Sequence, residues 1–226
     1  HLPISDKIEL NILHQNSHQA EKNKVKFNNY NLLCLNIMSS PGAGKTRLLE
    51  ITLEDLSKKF HSAVLEGDMT TNLDAARLEK LNIPVVPITT GRACHLDANM
   101  VSGGLKLLEK KINPDLLDIL LVENVGNLVC PAEFEIGEHF KVALLSITEG
   151  EDKPLKYPIM FREADLILIT KVDLLPHLNF DINELKSNIA STNPKADVIE
   201  ISSITKSGFD LWQDWISKKI LKFKNN

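Results

Sequence analysis

Three groups of residues have types and spacings that could do chemistry. The first is the run Ser39-Ser40-Pro41-Gly42-Ala43-Gly44-Lys45-Thr46. Glycines in such a run let the backbone turn tightly, so that successive N–H groups point at one anion. The start of a following helix adds the positive end of its dipole. Lys45 would neutralise β- and γ-phosphate charge, and the Thr46 hydroxyl would bind Mg²⁺. Gly42, Ala43, Gly44, Lys45, Thr46 and Arg47 are therefore the expected phosphate-binding residues. One departure from G-x-x-x-x-G-K-[ST] is plain: the first glycine is Ser39 here. A glycine-rich turn without a ligand is the plainer alternative, but the strand, the Gly-Lys-Thr and the helix follow in the order a phosphate loop requires.

The second group is acidic. Glu66-Gly67-Asp68-Met69-Thr70-Thr71-Asn72-Leu73-Asp74 follows one apolar run, and Glu123-Asn124-Val125-Gly126-Asn127 ends another. Mg²⁺ prefers one or two carboxylates together with phosphate oxygens and water. Glu123 is placed to face the metal, with Asp68 and Asp74 as candidates from the earlier segment. Asp74 reads equally as a first-turn helix charge. Gly126 could let backbone approach a γ-phosphate. Further on, Thr170-Lys171-Val172-Asp173 ends a strand. A carboxylate there can accept from both N1–H and the exocyclic amine of guanine, a donor pair that adenine lacks. The Lys171 stem can cover the base, and Ser202 and Ser203 are candidates for contact with the guanine oxygen.

The third group is soft. Cys34 lies inside an apolar strand and reads as a small core residue. Cys94-His95 and Cys130-Pro131 fall in loops on the same side of the expected sheet. Two thiols and an imidazole suit Zn²⁺ or Ni²⁺. Three ligands leave a tetrahedral site incomplete, so the fourth position is open or the ligands come from two chains at a symmetric interface.

The elements that must position these groups follow from the hydrophobic pattern. Strands are expected at 32–38, 63–66, 85–88, 119–123, 141–146, 166–170 and 197–201. Helices are expected at 45–60, 72–81, 96–111, 158–164, 183–193 and 208–222. Such alternation predicts an α/β fold with a mainly parallel sheet covered on both faces. Ligands of such sheets bind beyond the carboxyl ends of the strands, where all three groups fall. Residues 1–30 differ: Ile4, Ile8, Ile12 and Leu13 suggest a short, partly ordered helix, followed by a polar linker at 21–29. The expected division is thus 1–30 as helix and linker and 31–226 as one nucleotide-binding domain.

The chain has 226 residues, a formal charge of −4 and three cysteines. The acidic balance argues against nucleic acid as main partner. No apolar run is long enough for a membrane span. The cysteine count rules out a disulfide scaffold and, with no secretory signal at His1 onward, points to the cytoplasm.

The phosphate loop, Glu66-Gly67-Asp68, Gly91-Arg92-Ala93-Cys94-His95-Leu96-Asp97-Ala98, Glu123 to Pro131 and Thr170 to Asp173 together closely resemble the HypB family of hydrogenase nickel-incorporation GTPases. The resemblance spans about Asn31–Lys219, and its Cys-His-Leu-Asp-Ala and Glu-Asn-Val-Gly-Asn-Leu-Val-Cys-Pro runs are specific. It implies a P-loop GTPase of the SIMIBI type that dimerises with nucleotide near the interface. It implies that Lys45 and Thr46 hold phosphate and Mg²⁺, and that Asp74 and Glu123 approach Mg²⁺ directly or through water. Asp173 would read guanine with Lys171 against it, and Lys153 would help bind the nucleotide. Cys94, His95 and Cys130 match the family's interfacial Ni²⁺ or Zn²⁺ site. The implied partners are a second copy, a HypA-like nickel protein and the hydrogenase large subunit. Many members carry a Cys-rich motif or long His-rich stretch near the start, whereas His1, His14 and His18 here are scattered.

The expected function is therefore GTP hydrolysis coupled to nickel delivery, with catalytic roles for Lys45, Thr46, Asp68 and Glu123. Hydrolysis would act on the metal through Gly126–Cys130. The related urease GTPase UreG has a Cys-Pro-His motif instead, and the separated Cys94-His95 and Cys130-Pro131 favour the hydrogenase branch. A non-catalytic metal-binding module that holds nucleotide as a structural ligand is the alternative of a different class.

Overall fold

The computed structural model describes residues 4–68 and 73–225. The chain runs α1 (Ile4–Asn29), β1 (Leu33–Ser39), α2 (Lys45–Leu56), β2 (Ser62–Asp68), α3 (Leu73–Glu79), β3 (Val85–Thr89), α4 (Ala98–Lys111) and β4 (Ile119–Glu123). It continues with α5 (Cys130–Glu133), β5 (Phe140–Ser146), α6 (Lys153–Lys156), α7 (Pro158–Glu163), β6 (Leu166–Thr170), α8 (Ile182–Thr192), β7 (Asp197–Ile201) and α9 (Phe209–Lys224). The strands form one sheet in the order β3-β2-β4-β1-β5-β6-β7, with every pairing parallel.

The expected α/β architecture holds, for a physical reason that shows in each strand. β1 and β4 are apolar along nearly their whole length and buried at every position, as strands covered on both faces must be. Leu33, Leu35 and Ile37 of β1 point to one face, where α2 and α9 supply Leu49, Leu53, Trp212 and Ile216. Leu32 and Cys34 point to the other, where α1 and α4 supply Phe27, Val101 and Leu105. Cys34 is a buried core residue.

Most other element ends shift by one or two residues, α2 ends four residues early at Leu56, and three differences bear on the site. β2 extends to Asp68, because Asp68 still pairs with Thr89 of β3, so Glu66-Gly67-Asp68 ends a strand rather than following it. α4 starts at Ala98 rather than Leu96, because the Asp97 side chain accepts from the Met100 N–H and caps the helix there. Cys130 opens a short helix instead of lying in a loop. Asn72, expected to begin a helix, lies outside the described residues.

The larger difference is at the start. The expected linker at 21–29 is helical, and α1 runs unbroken to Asn29. Its polar residues are the reason. Asn16, Ala20, Asn23 and Phe27 recur at helical spacing and are all buried. Asn16 donates to the Glu135 carbonyl and accepts from the Ala98 N–H. Asn23 donates to the carbonyls of Ala98 and Ile136. Composition made this segment look solvated, but two of its amides replace backbone partners that the helix start and the 135–137 loop would otherwise lack. Gly137 permits the contact: a Cβ there would lie 2.6 Å from the Ala20 carbonyl oxygen.

This packing has a measurable consequence. Phe27→Ala should lower unfolding free energy by about 3–5 kcal/mol, and Lys22→Ala, on the exposed face, by under about 0.5 kcal/mol. Urea denaturation checks both values, and a segment acting as a linker would tolerate both changes.

Candidate nucleotide and metal site

β1 runs out of the sheet at Ser39 into the glycine loop, which ends at the N-terminus of α2. Gly42 and Gly44 take φ of 76° and 100°, values that strain residues with a Cβ. Lys45 is buried, and its Nζ donates to the Ser39 hydroxyl at 2.9 Å. The residue that departs from the usual pattern is therefore the one that holds the loop lysine. Burial lowers the Lys45 pKa, while Glu123, Asp74, Glu149 and Glu66 raise it. Gly126, beyond β4, crosses this loop so closely that a Cβ would sit 2.8 Å from Pro41 Cα. The Asn127 N–H donates to the Ser39 carbonyl at 2.8 Å, fixing that crossing.

A cavity of about 400 Å³ lies over the loop. Lys45, Thr46, Arg47, Glu66, Asp68, Asp74, Arg77, Glu123 and Gly126 line it. Thr46 Oγ1 donates to Glu123 Oε1 at 2.7 Å. That spacing is close to the roughly 3 Å between adjacent oxygens of an octahedral Mg²⁺, so the pair fits a shared cation. Asp74 accepts from Arg77, which also forks onto Glu50 of α2.

Glu66 is a residue the sequence reading did not assign. It pairs directly with Glu123 across β2 and β4, and both are almost fully buried, at 2% and 3% exposure. Burial, then Glu123, Asp68 and Asp74, raise the Glu66 carboxyl to about 8 against the opposing pull of Lys45. Burial raises Glu123 to about 7, offset in part by Lys45 and the Thr46 hydrogen bond. The available signal was its position: alternation places Glu66 on the same sheet face as Val64, directed toward α2.

A second cavity, of about 290 Å³, adjoins the first. Ala43, Gly44, Arg47, Thr170, Lys171, Asp173, Leu174, Ser203 and Ile204 line it. Thr170, where guanine-binding proteins usually carry Asn, donates to the Ala43 carbonyl and ties β6 to the phosphate loop. Lys171 takes a positive φ of 62° and reaches the Gly42 carbonyl. Asp173 accepts from Ser202 at 2.5 Å, and that hydroxyl also accepts from two backbone N–H groups. Ser202 thus orients Asp173 while Ser203 faces the cavity. Lys153 lines neither cavity, and its Nζ lies 5.2 Å from the centroid of the Tyr157 ring.

Cys94, His95 and Cys130 come together, with one ligand atom of each within 4.8 Å of the others. The Cys94 thiol donates to Cys130 Sγ at 3.1 Å and lies 4.0 Å from His95 Nδ1. Two sulfurs on one tetrahedral ion lie ~3.8 Å apart, so the donors fit a thiophilic metal after a shift of under an ångström. Phe134 stacks on His95 with centroids 4.0 Å apart and fixes the ring. Burial lowers the His95 pKa, which favours the neutral, ligating imidazole. Burial and then the Cys94 hydrogen bond raise the Cys130 thiol to about 11.

Asn124 joins this cluster to the phosphate loop. Its Oδ1 accepts from the N–H groups of Leu96 and Val125, both at 2.9 Å. Its Nδ2 donates to Asn36 of β1, and its own N–H donates to the Ile37 carbonyl. Leu96 in turn fills the space over Gly67, where a Cβ would meet its side chain at 2.7 Å.

A seven-stranded parallel sheet with a phosphate loop at its β1–α2 turn defines a P-loop nucleotide-binding protein. The model of the CobW/HypB/UreG nucleotide-binding domain matches residues 33–200. A hydrogenase maturation factor HypB from Azotobacter vinelandii is 48% identical over 214 residues, covering 94% of this chain and 69% of that protein. One from Escherichia coli K12 is 47% identical over 209 residues, covering 92% and 71%. The crystal structure of HypB from Helicobacter pylori in complex with nickel superposes with a TM-score of 0.88 at 39% identity, over 92% of this chain and 96% of that one. The chain belongs to the HypB family within that larger group.

The acidic pair sets a pH dependence. Both carboxyls bind their proton more tightly folded than unfolded, where the ordinary value is 4.5. The stability they contribute is complete below that value and is lost as pH rises through about 7 for Glu123 and about 8 for Glu66. In chelator without nucleotide, a Glu66→Gln/Glu123→Gln protein should match the wild-type Tm near about pH 5 and exceed it increasingly toward about pH 8. Melting curves across that range check the trend.

Proposed function

We propose that this chain is a GTP-hydrolysing metallochaperone that binds nickel or zinc and assists nickel insertion into [NiFe]-hydrogenase. The observation that carries the reading is the continuity of two sites. The cavity over the phosphate loop and the Cys94–His95–Cys130 cluster share the segment from Glu123 to Cys130.

The reaction is GTP and water to GDP and phosphate. In-line attack by water needs little covalent help, so the protein's part is positioning and neutralisation of charge. Lys45 leaves Ser39 for the β- and γ-phosphate oxygens, and the backbone of Gly42–Thr46 cradles them. Thr46 and Glu123, with Asp74 directly or through water, would hold Mg²⁺, which would supply positive charge to the phosphates. Asp68 positions the attacking water from the end of β2. Asp173, held by Ser202, accepts from the two guanine donors, and the Lys171 stem covers the base. Lys153, which lines neither cavity, keeps a proposed nucleotide role from the family resemblance alone.

Cys94, His95 and Cys130 hold the cargo metal. Three donors from one protomer meet their symmetry copies in a homodimer, which completes the coordination. Residues 31–226 act as the GTPase domain. A HypA-like nickel protein and the hydrogenase large subunit receive the metal, as the hydrogenase maturation role of the relatives supports. The reading places the chain in the cytoplasm, where thiols stay reduced. No described helix is long and apolar enough to cross a membrane.

Phosphate release is expected with GTP and not with ATP, and it should be lost in Lys45→Ala. Equal release from both nucleotides would overturn the assignment of the base cavity. Asp173→Ala should weaken GTP binding by about 100-fold or more, from two charge-assisted hydrogen bonds at ~1.5–3 kcal/mol each. In the same assays with Ni²⁺ titration, Cys94→Ala should lose tight metal binding while still releasing phosphate.

A further inference from the structure

Glu66 is a buried acidic residue that the proposed reaction leaves without a role. Three carboxylates were expected near the phosphates from sequence, and the fold brings a fourth. Glu66 lines the cavity over the phosphate loop, is 2% exposed, and its Oε2 has no hydrogen-bond partner among the described residues. Oε2 of Glu123, its neighbour across the β2–β4 pairing, is in the same condition. A buried, unpartnered carboxylate oxygen is destabilising, because it gives up water without replacement. Two such oxygens side by side on one sheet face add mutual repulsion. The arrangement is understandable if the cavity's ligand brings positive charge and hydrogen-bond donors to both.

A divalent cation brings both. Mg²⁺ takes one or two protein carboxylates and keeps several waters, each a strong donor in need of an acceptor. Thr46 and Glu123, with Asp74 directly or through water, supply the protein ligands of the proposed site. Glu66 comes from the adjacent strand, about 4.8 Å from β4. Its side chain reaches the same cavity, yet Thr46 bonds Glu123.

We propose that Glu66 is a positioning residue of the nucleotide's divalent cation, accepting hydrogen bonds from cation-bound water and so fixing the ion's remaining coordination sphere. Gly67, next in the strand, supports this placement. Leu96 packs over it so closely that the β2 end is held at a fixed depth. The inference rests on the nucleotide reading of this cavity.

The test uses the full chain, fluorescent GDP, and Mg²⁺ or Mn²⁺ as the cation. Wild-type and Glu66→Gln proteins are compared for GDP affinity in EDTA and in Mg²⁺, and for Mn²⁺ affinity of the GDP complex by electron paramagnetic resonance. Glu66→Gln should bind GDP in EDTA at least as well as wild type, because one negative charge near the phosphates is gone. Its Mn²⁺ affinity should fall by roughly 10-fold or more, as outer-sphere changes do at metal sites. Glu66→Asp should fall between the two.

Unchanged Mn²⁺ affinity in Glu66→Gln would overturn the proposal. So would an equal loss of GDP affinity in EDTA and in Mg²⁺, which marks a packing defect. Should Glu66→Gln not fold, Glu66→Asp decides: lower Mn²⁺ affinity with unchanged GDP affinity in EDTA supports the role, and wild-type Mn²⁺ affinity contradicts it. A wild-type protein that binds GDP neither with Mg²⁺ nor with EDTA would instead overturn the nucleotide reading, and this inference with it.

Discussion

The site depends on one buried side chain amide. Asn124 stands just beyond β4 with no exposure to solvent, and its amide bonds reach the Cys94–Leu96 segment, the backbone of Val125 and Asn36 of β1. An amide in that position must satisfy its donors and acceptor or carry a desolvation penalty, so it fixes three chain segments relative to one another. One of them carries two donors of the thiol–imidazole cluster. Another leads through Gly126, packed on Pro41, to the third donor at Cys130. Asn124 therefore ties β1, β4 and the loop before α4 together at a single residue, between the phosphate loop and the thiol–imidazole cluster.

Around that junction the protein's own groups stand where ligand groups would bind. Lys45 rests on Ser39, Lys171 on the Gly42 carbonyl, and Thr46 on Glu123. Each contact satisfies a polar group that, on the proposed reading, a bound nucleotide or cation would satisfy instead. Three acidic oxygens, on Glu66, Glu123 and Glu149, have no such substitute among the described residues. The metal cluster behaves differently, because its thiols bond to each other and its imidazole is clamped by Phe134.

Much of this was readable in the sequence. Parallel strands buried on both faces appear as unbroken apolar runs, so all seven were located, with β4, β6 and β7 correct at both ends. The Gly-Lys-Thr motif fixed the strand-to-helix turn, and the clustering of Cys94, His95 and Cys130 followed from loops at one end of the sheet. What escaped depended on long-range partners. Part of the polar α1 has the composition of a linker, and composition cannot reveal that Asn16 and Asn23 bond to residues more than seventy positions away. Glu66 escaped because its meaning lies in a cross-strand pairing with Glu123. Ser39 and Thr170 read as departures from familiar motifs, yet each bonds the phosphate loop in a way its side chain makes possible.

If the Asn124 junction couples the two sites, the nucleotide state must alter metal affinity, and coupling free energies between sites typically correspond to about 5- to 150-fold. The direct measurement is the Ni²⁺ dissociation constant of the full chain, by competition with a chromophoric chelator, in saturating GDP and in a non-hydrolysable GTP analogue. The expected result is a difference of about 5-fold or more between the two nucleotides. Equal affinities would contradict the coupling and leave two sites that merely share a strand end.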